Sequence, residues 1–145
     1  MKKVVTVTLG SSKQDFEFKT QFLGQSFSVR RMGADQDTGK AWELMRRQQA
    51  TADAIGLGEI PDHYQVGLRT VINKETQRLL NVVTRVPVTT GATLRRMLQV
   101  RAVRYVQKEL GNYFNNNLVL FLSGMRNYDM AVAMSDYTKN LSFAD

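Results

Sequence analysis

The sequence predicts an α/β fold, a Rossmann-like three-layer sandwich with a mostly parallel sheet and an early β-hairpin. Two observations carry this expectation. Short apolar runs recur, and each gives way to small turn residues. Val4-Val5-Thr6-Val7-Thr8-Leu9 runs into Gly10-Ser11-Ser12, Ala54-Ile55-Gly56-Leu57 into Gly58-Glu59, Val86-Pro87-Val88 into Thr89-Thr90-Gly91, and 118–122 into Ser123-Gly124. Helical periodicity follows most of these runs within about a dozen residues, the alternation that builds βαβ units around a buried parallel sheet. In such sheets the small residues gather at the carboxyl ends of the strands, where open α/β folds bind ligands.

Residues 4–9 read as the first strand. Phe16, Phe18 and Thr20 then alternate with Asp15, Glu17 and Lys19, and Phe27 and Val29 alternate with Ser26, Ser28 and Arg30. With Gly24-Gln25 between them, 15–23 and 26–32 form a β-hairpin rather than a helix and a strand. Gly33-Ala34-Asp35-Gln36-Asp37-Thr38 is turn chemistry that doubles as a helix start. Ala41, Trp42, Leu44 and Met45 give a helix over 38–50 its apolar face. A strand over 53–58 follows, then a small hairpin in which Tyr64-Gln65-Val66 and 69–72 flank Gly67-Leu68.

Asn73 caps a helix that turns Leu79, Leu80, Val82 and Val83 toward the sheet. Pro87 within a strand over 85–89 implies an edge position or an irregularity, because proline has no amide to donate. The longest helix runs from Thr93 to Leu110 and stops at Gly111. Asn115-Asn116-Asn117 is a loop, 118–122 a strand and 127–138 a helix. Leu141-Ser142-Phe143 begins a further strand that stops at Asp145, the ending expected of a domain cut from a longer chain.

The 145 residues are most simply a single α/β domain, 1–145, long enough to bury roughly 68–70% of the unfolded surface. A hydrophobic content of 43% with 23% charge is ordinary for a folded domain and argues against disorder. With no cysteine there are no disulfides, thiolate zinc sites or thiol nucleophiles, and the lone His63 leaves no histidine cluster for a metal. His63 itself reads as an incidental surface residue of a polar turn. No apolar run approaches the roughly 18 residues of a membrane span, and Met1-Lys2-Lys3 leads no signal-peptide core. A cytoplasmic location is the default expectation. The net charge of +7 permits anions, nucleic acid or an acidic partner without choosing among them.

Four turns are candidate ligand contacts. Thr89-Thr90-Gly91-Ala92-Thr93 joins a strand to the longest helix, where free amides and the helix dipole attract phosphate or carboxylate, or where Thr93 is simply the N-cap. Gly10-Ser11-Ser12-Lys13 leaves the first strand with two hydroxyls and an ammonium on a flexible backbone. Gly56 and Gly58 fall on one side of their strand and allow close approach of a ligand or of a neighbouring backbone, with Glu59 the one acid placed to act as a base. Ser123-Gly124-Met125-Arg126 offers Arg126 as a carboxylate or phosphate clamp, with an Asp129 salt bridge as the bland alternative. The contacts expected are Gly10, Ser11, Ser12, Gly58, Thr90, Gly91, Ser123 and Arg126, binding a small anionic or nucleotide-like ligand. No catalytic residue and no metal ligand is assigned, and the chain has neither a GxxxxGK[ST] nor a GxGxxG loop.

Several segments resemble the start of bacterial quinate/shikimate 5-dehydrogenase-like proteins. They are Lys3-Val4-Val5 with Leu9-Gly10-Ser11-Ser12-Lys13, Arg31-Met32-Gly33-Ala34-Asp35, Asp53-Ala54-Ile55-Gly56-Leu57-Gly58, 88–96, and Ser123-Gly124-Met125-Arg126-Asn127-Tyr128 with Met130-Ala131. The resemblance implies the N-terminal α/β domain of a longer oxidoreductase-like protein, with NAD(P) as the cofactor. It carries over a fold and a family, because the catalytic Lys–Asp pair of a shikimate dehydrogenase has no counterpart motif here.

A rival reading is a non-enzymatic basic interaction module. Arg101, Arg104 and Lys108 fall at i, i+3 and i+7 on one helical face, a stripe that would neutralise phosphates or meet a downstream domain. No RNP-like aromatic motif accompanies it, so nucleic acid is the weaker partner expectation. A strand at 141–143 with an unpaired edge would favour homo-oligomers.

Overall fold

The structure, a computed structural model, describes residues 1–144; Asp145, where the expected truncation falls, lies outside them. The chain folds as two compact units. The first comprises Met1–Asp62 and Ile72–Gly91, and the second His63–Val71 with the residues from Ala92 onward.

The first unit is built on five strands: β1 (Lys2–Thr8), β2 (Phe16–Phe22), β3 (Gln25–Gly33), β4 (Ala54–Gly58) and β7 (Val88–Thr89). Their order is β2-β3-β1-β4-β7, and every neighbouring pair is parallel except β2 with β3. The mostly parallel sheet and the early hairpin are therefore both present. The hairpin turn is Leu23-Gly24, one residue earlier than the Gly24-Gln25 expected, and both residues have positive φ, 50° and 75°. That pair of signs belongs to the tight turn whose twist matches the strands it joins.

Helix α1 (Thr38–Gln48) carries the chain from β3 past β1 to β4, and α2 (Lys74–Asn81) leads to β7. Both starts are capped as their sequences require. Asp37 accepts from the Lys40 amide, and Asn73 from those of Glu75 and Thr76. The core takes Val5 and Val7 from β1, Ile55 and Leu57 from β4, Ala41 and Met45 from α1, and Leu79 from α2. The strand residues in it are all of one parity, so both helices lie over the same face of the sheet. The opposite parity, including Thr6, Thr8, Gly56, Gly58, Val29 and Arg31, forms a face on which this unit places no helix. Sequence reasoning expected a second helical layer. A 3-10 turn (Ser12–Gln14) and the β2–β3 hairpin stand where its helix would be.

Strand β7 is only two residues long and forms the outer edge, with Pro87 immediately before it. The carbonyl of Pro87 still accepts the Ile55 amide at 2.9 Å, so the missing amide costs the sheet nothing on that side. Between β4 and α2 the chain makes an excursion through β5 (His63–Val66) and β6 (Arg69–Ile72), which pair with each other. The Asn73 amide donates to the Asp62 carbonyl at 2.9 Å and closes the neck of this excursion.

In the second unit, α3 (Ala92–Glu109) precedes β8 (Val119–Leu122), a 3-10 turn at Met125–Asn127, α4 (Tyr128–Met134) and β9 (Leu141–Ala144). Strands β8 and β9 are parallel, in register from Val119 opposite Leu141 to Leu122 opposite Ala144. Val103, Phe121, Ala131, Ala133 and Met134 make the core. Helix α3 starts at Ala92, so Thr93 lies inside it and is not its cap. The helix expected over 127–138 is shorter, ending at Met134 where the chain turns through Tyr137 and Thr138.

Candidate functional site

Parallel strands β1, β3, β4 and β7 all deliver their carboxyl ends to one rim, so the loops after Thr8, Gly33, Gly58 and Thr89 share it. Of the eight expected contacts, Gly10, Ser11, Ser12, Gly58, Thr90 and Gly91 are on this rim. Ser123 and Arg126 are in the second unit, in the loop that follows β8.

The rim is organised by Arg31. Its position on β3 continues the alternation of Phe27 and Val29, so the side chain leaves from the helix-free face, yet it is only 11% exposed. Its Nη1 donates to the Ser11 carbonyl at 2.9 Å and to Asp15 Oδ1 at 3.2 Å, while Nη2 donates to Glu59 Oε1 at 3.1 Å. One guanidinium thus joins the loop after β1, the start of β2 and the loop after β4, using the fork geometry that suits arginine and not lysine. Asp15 Oδ1 also accepts the Gly33 amide at 2.6 Å.

Three amides of the loop after β1 are engaged within the protein. Gly10 N–H donates to Thr8 Oγ1 at 3.1 Å, Ser12 N–H to Asp35 Oδ1 at 2.7 Å, and Lys13 N–H to Ser11 Oγ at 3.2 Å. Asp35 reaches this loop from a left-handed backbone, with φ of 55°. Its second oxygen holds Lys40 Nζ at 2.6 Å. The Lys40 ammonium first, and the Ser12 amide second, hold the Asp35 carboxyl well below the usual carboxylate range. An internal carboxylate therefore sits where the loop would cradle a ligand anion.

Glu59 plays the same part on the other side. Its φ is 60°, an uncommon conformation for a residue with a side chain, which places the carboxylate directly over Gly10. A Cβ at Gly10 would overlap Glu59 Oε2, so a side chain there would push the carboxylate aside. Sequence reasoning considered Glu59 as a base. In this structure it is ion-paired to Arg31 and half-exposed.

Gly58 approaches its neighbour strand closely: a Cβ there would lie 3.3 Å from that of Thr8. The space beside Gly58 is thus taken by the threonine side chains of β1. Thr90 Oγ1 lies 3.4 Å from Asp62 Oδ2, and Gly91 N–H donates to Thr89 Oγ1 at 3.1 Å. Gly91, with φ of 71°, makes the turn into α3. It stands two strands, roughly 10 Å, from the loop after β1.

In the second unit, Ser123 has φ of 70° and its carbonyl accepts Asn127 Nδ2 at 2.9 Å. Arg126 is exposed, and among the described residues it forms no ion pair with Asp129. Arg101, Arg104 and Lys108 are also exposed. Arg96, Met97, Val100, Arg101, Arg104 and Asp129 line a shallow hollow of about 340 Å³. Among the described residues no cluster of metal-ligating side chains exists, and no helix is long and apolar enough to cross a membrane.

Sequence reasoning missed Arg31, Asp15 and Asp35 as parts of the rim. For Arg31 the available signal was a charged residue at a position where the alternation of Phe27 and Val29 calls for an apolar one.

Two family models match the chain. One is described as a domain of unknown function (DUF8753) and matches residues 3–90; the other, a domain of unknown function (DUF8754), matches residues 93–145. Their junction falls at the turn around Gly91 where the compact units also divide. No curated protein matches. Among solved structures, the catalytic subunit of M. jannaschii aspartate transcarbamoylase aligns at 13% identity and a TM-score of 0.43, covering 98% of this chain and 46% of that one. The chain thus spans about half the length of that enzyme. The first family match covers more than half of the sequence, and the chain belongs to the DUF8753 family.

Proposed function

We propose that this DUF8753 member binds a small anionic ligand at the carboxyl-end rim of its parallel sheet, with Arg31 as the anchor. The observation that carries the reading is the Arg31–Glu59 pair. A nearly buried guanidinium is satisfied by a carboxylate that reaches it from a left-handed backbone and lies over a glycine. Glu59 stands in for the ligand's carboxylate or phosphate, and displacing it would free both Arg31 Nη2 and the space above Gly10.

Topology supports the same place. The strand order β3-β1-β4-β7 has the sense of a doubly wound sheet, and the connections leaving β1 and β4 run in opposite directions. Open α/β sheets bind ligands at that switch point, beyond the carboxyl ends. We read the unit as Rossmann-like on this ground; the third layer of the expected sandwich would lie on the helix-free face. Gly10, Ser11, Ser12 and Gly58 are then ligand neighbours, with Thr90 and Gly91 at the far end of the rim. Ser123 and Arg126 remain candidate contacts of the second unit. The resemblance to quinate/shikimate dehydrogenase-like proteins makes ring carboxylates and NAD(P) the ligands of choice, and a cytoplasmic oxidoreductase-like parent the matching context.

Calorimetric titration of quinate, shikimate, NAD(P) and inorganic phosphate against three proteins tests this. Glu59→Gln removes the internal competitor and strengthens binding by up to about fivefold, the worth of one partly exposed ion pair. Arg31→Lys abolishes it. A ligand at 100 times its dissociation constant should add about 2.7 kcal/mol of stability. No binding by either the parent or Glu59→Gln would end this reading.

The basic hollow on α3 favours a second reading, a non-enzymatic module that meets an acidic partner domain or nucleic acid. Binding of mixed-sequence RNA or DNA that weakens steeply with salt, and is lost in Arg101→Ala with Arg104→Ala, would support it.

A further inference from the structure

Strand β2 occupies the outer edge of the sheet and pairs only with β3, so one side of its backbone is unpaired. All seven residues are exposed. The pairing to β3 runs without a bulge from Phe16 opposite Arg31 to Phe22 opposite Gln25, and the strand contains no proline. Of the devices that ordinarily blunt an edge it carries only charge, Glu17 and Lys19, and neither a bulge nor a proline. Its two faces differ. Phe16 and Phe18, 49% and 48% exposed with ring centroids 5.7 Å apart, lie on the helix-free face. Glu17 and Lys19 lie on the other.

We propose that β2 is a self-complementary edge that pairs antiparallel with β2 of a second copy of this chain, about a two-fold axis at Phe18. Side chains directly opposite each other in an antiparallel pair share a face, so the axis must pass midway between the two copies of one residue. Centring on Lys19 opposes two ammoniums, and centring on Glu17 opposes two carboxylates. Centring on Phe18 instead sets Glu17 of each copy opposite Lys19 of the other, twice, while Phe18 meets Phe18 and Phe16 meets Thr20. Opposite charges facing across strands stabilise a pair and like charges destabilise it. The aromatic rings of both copies then gather on the helix-free face, and the two sheets join into one of ten strands.

The charge pattern supplies the test, made by analytical ultracentrifugation of the full chain over a range of concentrations. The parent protein is a reversible dimer. Lys19→Glu leaves the monomer fold intact, because Lys19 is solvent-facing, and weakens dimerisation by about tenfold or more. The double exchange Glu17→Lys with Lys19→Glu restores opposite charges in the same register and recovers the dimer, although each copy gives up the Glu17–Arg30 pair at 3.9 Å and the Ser28 hydrogen bond to Glu17. A parent that stays monomeric, or a Lys19→Glu variant that dimerises as tightly as the parent, overturns the proposal. A double exchange that fails to recover the dimer overturns the Phe18 register. Far-ultraviolet circular dichroism of each variant separates lost pairing from lost fold.

Discussion

Asp35 Oδ1 accepts the Ser12 amide at 2.7 Å while its other oxygen holds the Lys40 ammonium at 2.6 Å, closing the loop after β1 onto the start of α1. Because both partners favour the ionised form, the folded-state pKa of Asp35 lies below its ordinary value of 3.8. A depressed carboxyl contributes stability that is complete above the unfolded value and is lost as pH falls through the folded one. Asp35→Asn keeps an acceptor for the amide and removes the charge. Its melting temperature should lie below that of the parent by a constant margin near neutrality. That margin should narrow once pH falls below about 4. A gap that stays constant into strong acid would contradict this role.

Gly33 lies against backbone that cannot give way. A Cβ there would stand 2.5 Å from the Ser11 carbonyl and the Ser12 amide, both backbone atoms that cannot swing aside. Gly33→Ala should destabilise by roughly 1–3 kcal/mol, as overpacking does, and urea unfolding measures it.

Leu23 spends its backbone badly. It is 90% exposed at a φ of 50°, the first residue of a turn whose two positions both need positive φ. Asparagine tolerates that conformation and precedes glycine in the preferred version of this turn. Leu23→Asn should stabilise the first unit by about 1 kcal/mol, the order of the left-handed penalty it relieves. A lower unfolding midpoint would show that Leu23 makes a contact of value.

Gln107 organises the end of α3. Its side chain accepts from Phe114 N–H at 2.9 Å and donates to Asn115 Oδ1 at 2.7 Å, from a buried position. Gln107→Leu leaves that amide without its acceptor, at a cost of roughly 1–3 kcal/mol. The loss should appear in hydrogen exchange of residues 112–117 before it appears elsewhere.

The strands and their order of appearance were legible because alternation and apolar runs are local. The Phe16–Phe18 and Phe27–Val29 alternations located both arms of the hairpin, and Asn73 declared its helix start in one residue. The turn register was not legible, because Leu23 is a poor match for the conformation it holds while Gly24 and Gln25 look ordinary. The rim was half legible. Glycines and serines marked the loops, but the residues that fill them are Asp15, Arg31, Asp35 and Glu59. These lie up to 44 positions apart, and only pairing across the sheet brings them together. The boundary at Gly91 left no trace in composition. Residues on both sides of it are equally mixed, and the division lies in which side chains bury one another.

Asn73 N–H donates to the Asp62 carbonyl and Thr76 Oγ1 to that of Pro61, so two bonds pinch the base of residues 63–71. That makes the stem at 62 and 73 a natural splice point. Segments of other lengths, or a fluorescent insert, should be accommodated there with β4 and α2 left in place.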